Sequence, residues 1–222
     1  QDRDRFILSK GHSVEGYYAV LAKAGIFPQA ELKTYGSYGS RFYGHPTMKT
    51  PGVEVPTGAL GHGLSVGVGM AIAGKRDKSD HRVFVLMGDG EQAEGSVWEA
   101  AMAASHYKLG NLIAIIDYNR LQISGDVDSV MTISSLRDRW GAFGWEVQEI
   151  EGNDMGSLIG CLSTYDRSTE RDRPVLIVAH TTKGKGVSFM EHQAGWHHRV
   201  PSDEDLAKAL SELDGHRQGV SL

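Results

Sequence analysis

The feature that most constrains this chain is a strand–helix–strand unit in its middle. HRVFVLM (81–87) and LIAIID (112–117) are short apolar, β-branched runs of the kind that form fully buried strands. Between them, residues 96–108 read as a helix with Ser96 as N-cap and Glu99 as its capping-box partner, ended by Gly110-Asn111. Two buried strands joined by a helical crossover must lie parallel, with a right-handed connection. The alternation continues with a helix at 134–142, a strand at 145–150, a helix at 154–165 and a strand at 174–180. Ser202 caps a last helix through Leu213. Upstream, Ser13 to Ala24 reads as a helix stopped by Gly25, and 63–74 as a helix of small residues. Residues 33–58, rich in Gly, Tyr, Ser and Pro, read as a functional loop. Such alternation predicts an α/β fold: a doubly wound, mostly parallel sheet with helices on both faces. The expected organisation is one domain over 1–222, with 201–222 a C-terminal helix and tail.

Composition narrows the function classes. Lys plus Arg is 23 against 28 Asp plus Glu, a net charge of −5 without a basic block, which argues against a nucleic-acid groove or an anionic membrane surface. The uncharged stretch 55–74 is long enough to span a bilayer, but Pro56, His62 and six glycines make it a tightly packed helix of a water-soluble protein. The start, QDRDRF, lacks a secretory pattern. One cysteine, Cys161, excludes an intrachain disulfide and fits a reducing cytoplasm; its place in a helical pattern predicts a core position. The 28 glycines of 222 residues, well above a typical ~7%, cluster inside apolar stretches and point to backbone brought close to a ligand or another backbone.

In a parallel sheet, ligands bind beyond the carboxyl ends of the strands. Asp89 follows one strand and Asn119 the next, so parallel pairing brings them to one edge although 30 residues separate them. A carboxylate and an amide oxygen side by side are hard ligands suited to Mg²⁺ or Ca²⁺, and Mg²⁺ commonly shares its shell with phosphate. Flanking glycines let a phosphate reach backbone N–H groups near a helix start. Either residue alone would read as a turn opener or a strand end; the pair on one unit reads as a metal and diphosphate site.

Gly88-Asp89-Gly90, followed after 27 residues by Tyr118-Asn119, resembles the thiamine diphosphate motif. SKGHS (9–13), YGHP (43–46), PGVEVPTGALGHG (51–63) and KGKGVSF (183–189) resemble transketolase, in the same order and across nearly the whole chain. The resemblance is to the N-terminal, diphosphate-binding third of the long enzymes, and so to the N-terminal subunit of a split transketolase.

That resemblance implies thiamine diphosphate and Mg²⁺ as cofactors, with Ca²⁺ or Mn²⁺ able to substitute. It implies Asp89, Asn119 and the backbone carbonyl of Leu121 as metal ligands, and Gly88 and Gly90 beside the diphosphate. It lays Gly58, Leu60 and Gly61 against the cofactor, and sets Glu94 at the subunit interface facing a catalytic Glu of the partner. His12 would face the diphosphate and the reacting carbon, His45 the hydroxyl end of the donor sugar, and His197 a third catalytic position, with His198 beside it as a rival. Lys183 and Lys185 are candidates for phosphate contact. One departure is Gly-His-Gly (61–63), where transketolases usually carry Gly-Gln-Gly; His62 is a specificity change or a tolerated swap. The implied reaction moves a two-carbon ketol unit from a ketose (phosphate) donor to an aldose (phosphate) acceptor. The implied partner is a C-terminal subunit carrying the pyrimidine-binding domain, in a heterotetramer of two copies of each chain. Two alternatives remain at this stage: a subunit of another thiamine diphosphate enzyme, deoxyxylulose-phosphate-synthase-like or dehydrogenase-type, and a non-catalytic assembly subunit of the same fold.

Overall fold

The computed structural model describes residues 3–166 and 171–219. The elements are β1 (Arg5–Leu8), α1 (Val14–Lys23), α2 (His62–Arg76), β2 (Val83–Gly88), α3 (Gly95–His106) and β3 (Leu112–Tyr118). A small antiparallel hairpin follows, β4 (Leu121–Gln122) with β5 (Gly125–Asp126), then α4 (Val127–Val130), α5 (Leu136–Ala142) and β6 (Glu146–Glu151). The chain continues through α6 (Met155–Ser163), β7 (Val175–His180) and α7 (Asp203–Gly219). The expected tail at 220–222 lies outside the described residues.

β1, β2, β3, β7 and β6 form one sheet in that order, with every pairing parallel. The chain advances from β1 to β3, jumps to β6 and returns to β7. Right-handed crossovers then put helices on opposite faces, because the direction of travel reverses. On one face, Val83, Val85, Met87, Leu112, Ala114 and Ile116 pack against Leu64, Val68 and Ala71 of α2, Val97, Ala101 and Ala104 of α3, and Leu136 and Trp140 of α5. On the other, α6 brings Leu162 and the half-buried Cys161 against Ile113, Val175 and Ile177, so Cys161 borders the core rather than filling it. Each fully buried large side chain contributes roughly 1.5–3 kcal/mol relative to exposure. The alternation in β2, with Phe84 and Leu86 half-buried, follows from the pleat.

Several local expectations need correction. α3 begins at Gly95 with Glu94 in the cap position, so Ser96 lies inside the first turn and is not the cap. Ser13 precedes α1 but does not cap it; its hydroxyl donates to the carbonyl of Lys10 at 3.0 Å. α6 is capped by Asp154, whose carboxylate accepts the N–H of Ser157 at 2.7 Å. Ser202 does cap α7: its hydroxyl accepts the N–H of Asp205, and the Asp205 carboxylate accepts the N–H of Ser202, both at 3.1 Å. β1 and the β4–β5 hairpin went unanticipated, being too short for any periodicity to show. No helix among the described residues is long and apolar enough to cross a membrane.

Because β1, β2, β3 and β7 are parallel, the segments that follow them all emerge at one edge. Ser9 to His12, Gly88 to Gly90, Asn119 to Leu121 and Thr181 to Lys183 therefore meet there. Register places Gly88 opposite Asp117, and Tyr118 opposite His180.

Candidate active site

A cavity of about 500 Å³ opens at this edge, lined by His12, Leu60, Gly88, Asp89, Gly90, Glu94, Asn119, Leu121 and His197, among others. Nine of the twelve residues implied as catalytic, cofactor-binding or metal-binding are thus brought together, with Lys183, a candidate for phosphate contact, beside them. Between the two adjacent histidines, it is His197 rather than His198 that lines the cavity. The remaining three stand just behind. Gly61 donates its N–H to the carboxylate of Glu91 at 2.8 Å. His45 is held by the Tyr18 hydroxyl, which donates to the His45 carbonyl at 3.2 Å. Gly58 packs against the His45 ring so closely that a Cβ there would lie 2.9 Å from Cδ2. His62 is exposed, its Nδ1 3.1 Å from the Leu60 carbonyl, and it does not line the cavity.

Asp89 is 3% exposed. Its Oδ1 accepts the N–H of Gly90 at 2.7 Å, and its Oδ2 accepts the N–H of Arg120. Burial pushes its carboxyl up to about 6 despite those two donors, with Asp117 adding repulsion. Asn119 Oδ1 accepts the N–H of Leu121 at 3.0 Å. A Cβ on Gly90 would lie 2.5 Å from Gln122 Oε1, so that side chain would have to shift to admit it.

Beside the carboxylates is a basic half that sequence reasoning did not assemble. Lys10 forms an ion pair with Asp117. Burial opposes the charge on Asp117, but Lys10 and the Thr181 hydroxyl outweigh it and hold the carboxyl below its usual range. Lys183 also lines the cavity, its ammonium lowered by burial and by Lys10. Burial, then Lys10 and Lys183, lowers His12. Burial, then Lys183 and His12, pushes His197 down to about 4. Both imidazoles are therefore neutral near pH 7, able to accept or donate a proton. His197 Nδ1 is buried and makes no hydrogen bond among the described residues, so that polar atom is available to a ligand. The signal for Asp117 was present in the sequence, a charged residue at the carboxyl end of an apolar strand; Lys10 had none, because the four-residue β1 before it carries too little pattern.

The donor set suits a hard divalent ion. Among the described residues, no three His, Cys, Asp or Glu side chains cluster to hold a metal. Asp117 is paired with Lys10 and Glu91 with backbone N–H groups and Ser9, which leaves Asp89, with Asn119 and Leu121 beside it in the lining, as the oxygen donors for such an ion. A site so poor in protein ligands fits Mg²⁺, which keeps water and phosphate oxygens in its shell. The elevated Asp89 marks a buried negative charge for which a cation is the natural complement.

Fold and cleft thus define a doubly wound α/β protein with a cavity lined by both acidic and basic side chains at the carboxyl edge of its sheet. Residues 1–217 match the family model described as transketolase, thiamine diphosphate binding domain. The chain is 55% identical over 211 residues to one subunit of the apulose-4-phosphate transketolase of Phocaeicola vulgatus, covering 95% of this chain and 74% of that protein. It is 39% identical to a 6-deoxy-6-sulfo-D-fructose transketolase subunit of Clostridium sp., covering 96% and 77%. The structure is similar to transketolase from Campylobacter jejuni, with TM-score 0.88 and 33% identity over 96% of this chain and 34% of that one. The chain belongs to the transketolase family and carries its thiamine diphosphate-binding domain.

Proposed function

We propose that this chain is the diphosphate-binding subunit of a split transketolase, a single domain over 1–222 that works in the cytoplasm. The observation that carries this reading is the convergence of Asp89, Asn119 and Leu121 with His12 and His197 in one cavity. Asp89, Asn119 and the Leu121 carbonyl hold Mg²⁺, for which Ca²⁺ or Mn²⁺ can substitute. Gly88, Gly90 and the loop of Gly58, Leu60 and Gly61 receive thiamine diphosphate, and Glu94 meets the partner beside it. When bound, that cofactor supplies the carbanion chemistry that breaks a carbon–carbon bond next to a carbonyl.

The chain's own residues orient, shield and move protons. His45, on a loop restrained by Pro46 and by the Tyr18 hydroxyl, binds the hydroxyl end of the donor sugar. His12 and His197, both neutral, accept or return a proton at their ring nitrogens. The reaction transfers a two-carbon ketol unit from a ketose (phosphate) donor to an aldose (phosphate) acceptor. The relatives' names make apulose 4-phosphate the first donor to test and 6-deoxy-6-sulfo-D-fructose the second. The relatives are named as subunits, which supports a partner chain carrying the pyrimidine-binding domain, with two copies of each chain in the assembly.

The test is co-expression with the candidate partner and an assay of ketol transfer from both donors, with and without thiamine diphosphate and Mg²⁺. Transfer that depends on both cofactors supports the reading. A purified complex that binds neither would overturn it.

A further inference from the structure

Glu91 lies two residues past Asp89, is 2% exposed, and takes no part in the roles above. Its carboxylate joins three separate segments. Oε1 accepts from the hydroxyl of Ser9 and from the N–H of Gly61, the latter at 2.8 Å; Oε2 accepts the N–H of Gly88 at 3.0 Å. Ser9 leads into Lys10 and His12. Gly61, in the left-handed region at φ +82°, closes the loop that carries Leu60. Gly88 leads into Asp89. These segments form separate walls of the cavity, and no strand pairing ties the 58–61 loop to the sheet.

A buried carboxylate suits this position because it only accepts, and its two oxygens offer about four lone-pair sites. Bonds to an ionised acceptor are also stronger than neutral ones. An amide in its place would turn an N–H toward another N–H and give up at least one of the three links.

We propose that Glu91 is a positioning residue that clamps the 58–61 loop and the Ser9 segment to the metal-binding turn. The cleft is thereby held at its working width before thiamine diphosphate arrives. This rests on the cofactor reading above. It extends that reading to a residue that contacts neither metal nor substrate.

The test compares wild type, Glu91→Gln and Ser9→Ala, each co-expressed with the partner subunit. Hydrogen–deuterium exchange without cofactor reads the clamp, and calorimetric titration of thiamine diphosphate with Mg²⁺ reads its consequence. In Glu91→Gln, amides of residues 58–63 should exchange faster and cofactor affinity should fall about tenfold or more, as expected for losing a hydrogen bond to a buried charge. Turnover at saturating cofactor should stay within about threefold of wild type, a split between KM and kcat that mere loss of stability does not produce. Ser9→Ala should give the same pattern at smaller amplitude. Unchanged affinity in Glu91→Gln overturns the proposal, whatever the exchange shows. If that variant fails to assemble, Ser9→Ala decides on the same readouts. A wild-type complex that does not bind the cofactor refutes the function reading instead, and the exchange comparison then judges the clamp alone.

Discussion

The imidazoles of His12 and His197 stack with ring centroids 5.3 Å apart and planes 26° from parallel. One follows β1 and the other lies beyond β7, so the tertiary structure alone makes this pair. Burial, Lys183, His12, Lys10 and His198 all act on His197 in the same direction, toward the neutral form. Unfolded, this histidine takes up a proton near 6.5; folded, it does so only near about 4. Acidification through that window therefore favours the unfolded chain. In thermal unfolding, acidification across the window should disfavour the fold of wild type more than that of His197→Gln, every other titrating group being common to both. Identical slopes for the two proteins would remove His197 from this role.

Asp89 has the opposite sign. Its carboxyl ionises near 3.8 when unfolded and at about 6 when folded, so its charge burdens the fold above about 6. Asp89→Asn should make the melting temperature of the metal-free protein less dependent on pH between about 4 and 6, since the titrating charge is gone, while abolishing Mg²⁺-dependent binding of thiamine diphosphate. For wild type, Mg²⁺ with the cofactor should stabilise more above pH 6 than below it, because protons compete for the same oxygens. Calorimetry and melting curves with and without Mg²⁺ check both, and a variant that binds cofactor as wild type does would exclude Asp89 as the metal ligand.

His45→Ala should leave cofactor affinity intact and lower kcat by about 10²–10⁴-fold, the usual scale for an acid–base or substrate-orienting group. Gly58→Ala should lower kcat likewise, and should also weaken cofactor binding because this loop receives thiamine diphosphate. A Cβ there would press on the His45 ring, and at φ +152° the backbone also resists a side chain. Steady-state kinetics on the assembled enzyme decide this, and full activity in both variants would make His45 a loop residue only.

Two glycines of α2 should respond in opposite ways. A Cβ on Gly67 would come within 2.6 Å of Val85 Cγ2, whereas one on Gly69 would meet nothing within 4 Å. Gly67→Ala should destabilise by wedging α2 off β2. Gly69→Ala should stabilise the isolated chain by up to about 1 kcal/mol through helix propensity. Denaturant midpoints of the two variants test the pairing of α2 with β2.

The chain alone should show no ketol transfer and gain it only with a partner that carries the pyrimidine-binding domain. α2 and α3 leave Val66 and Met102 exposed at 36% and 60%. Light scattering should report two copies of each chain in the active complex. Turnover by this chain alone would refute the split-enzyme reading.

Much of this was legible in the sequence because it rests on local patterns. The buried strands 81–87 and 112–117 revealed themselves by unbroken apolar runs. Asp89 and Asn119 could be paired because two parallel strands joined by one helix must present their carboxyl ends at one edge. β1 escaped notice because a four-residue edge strand carries too little pattern. The cap of α3 was misplaced because Ser96 matches a capping box as well as any true cap; only backbone dihedrals assign that position to Glu94.

The sequence by itself thus determined the alternation of the layers, the polarity of the sheet and the meeting of Asp89 with Asn119 at one edge, all consequences of local periodicity and connection rules, while Leu121 was named by family resemblance. The tertiary structure alone decided what distant segments do to one another. The pairing of Lys10 with Asp117, the stacking of His12 on His197 and the three links to Glu91 each join residues 30 or more positions apart, except for Gly88 beside Glu91. No period or motif encodes such contacts, because they depend on where loops of unlike length finally meet above the sheet.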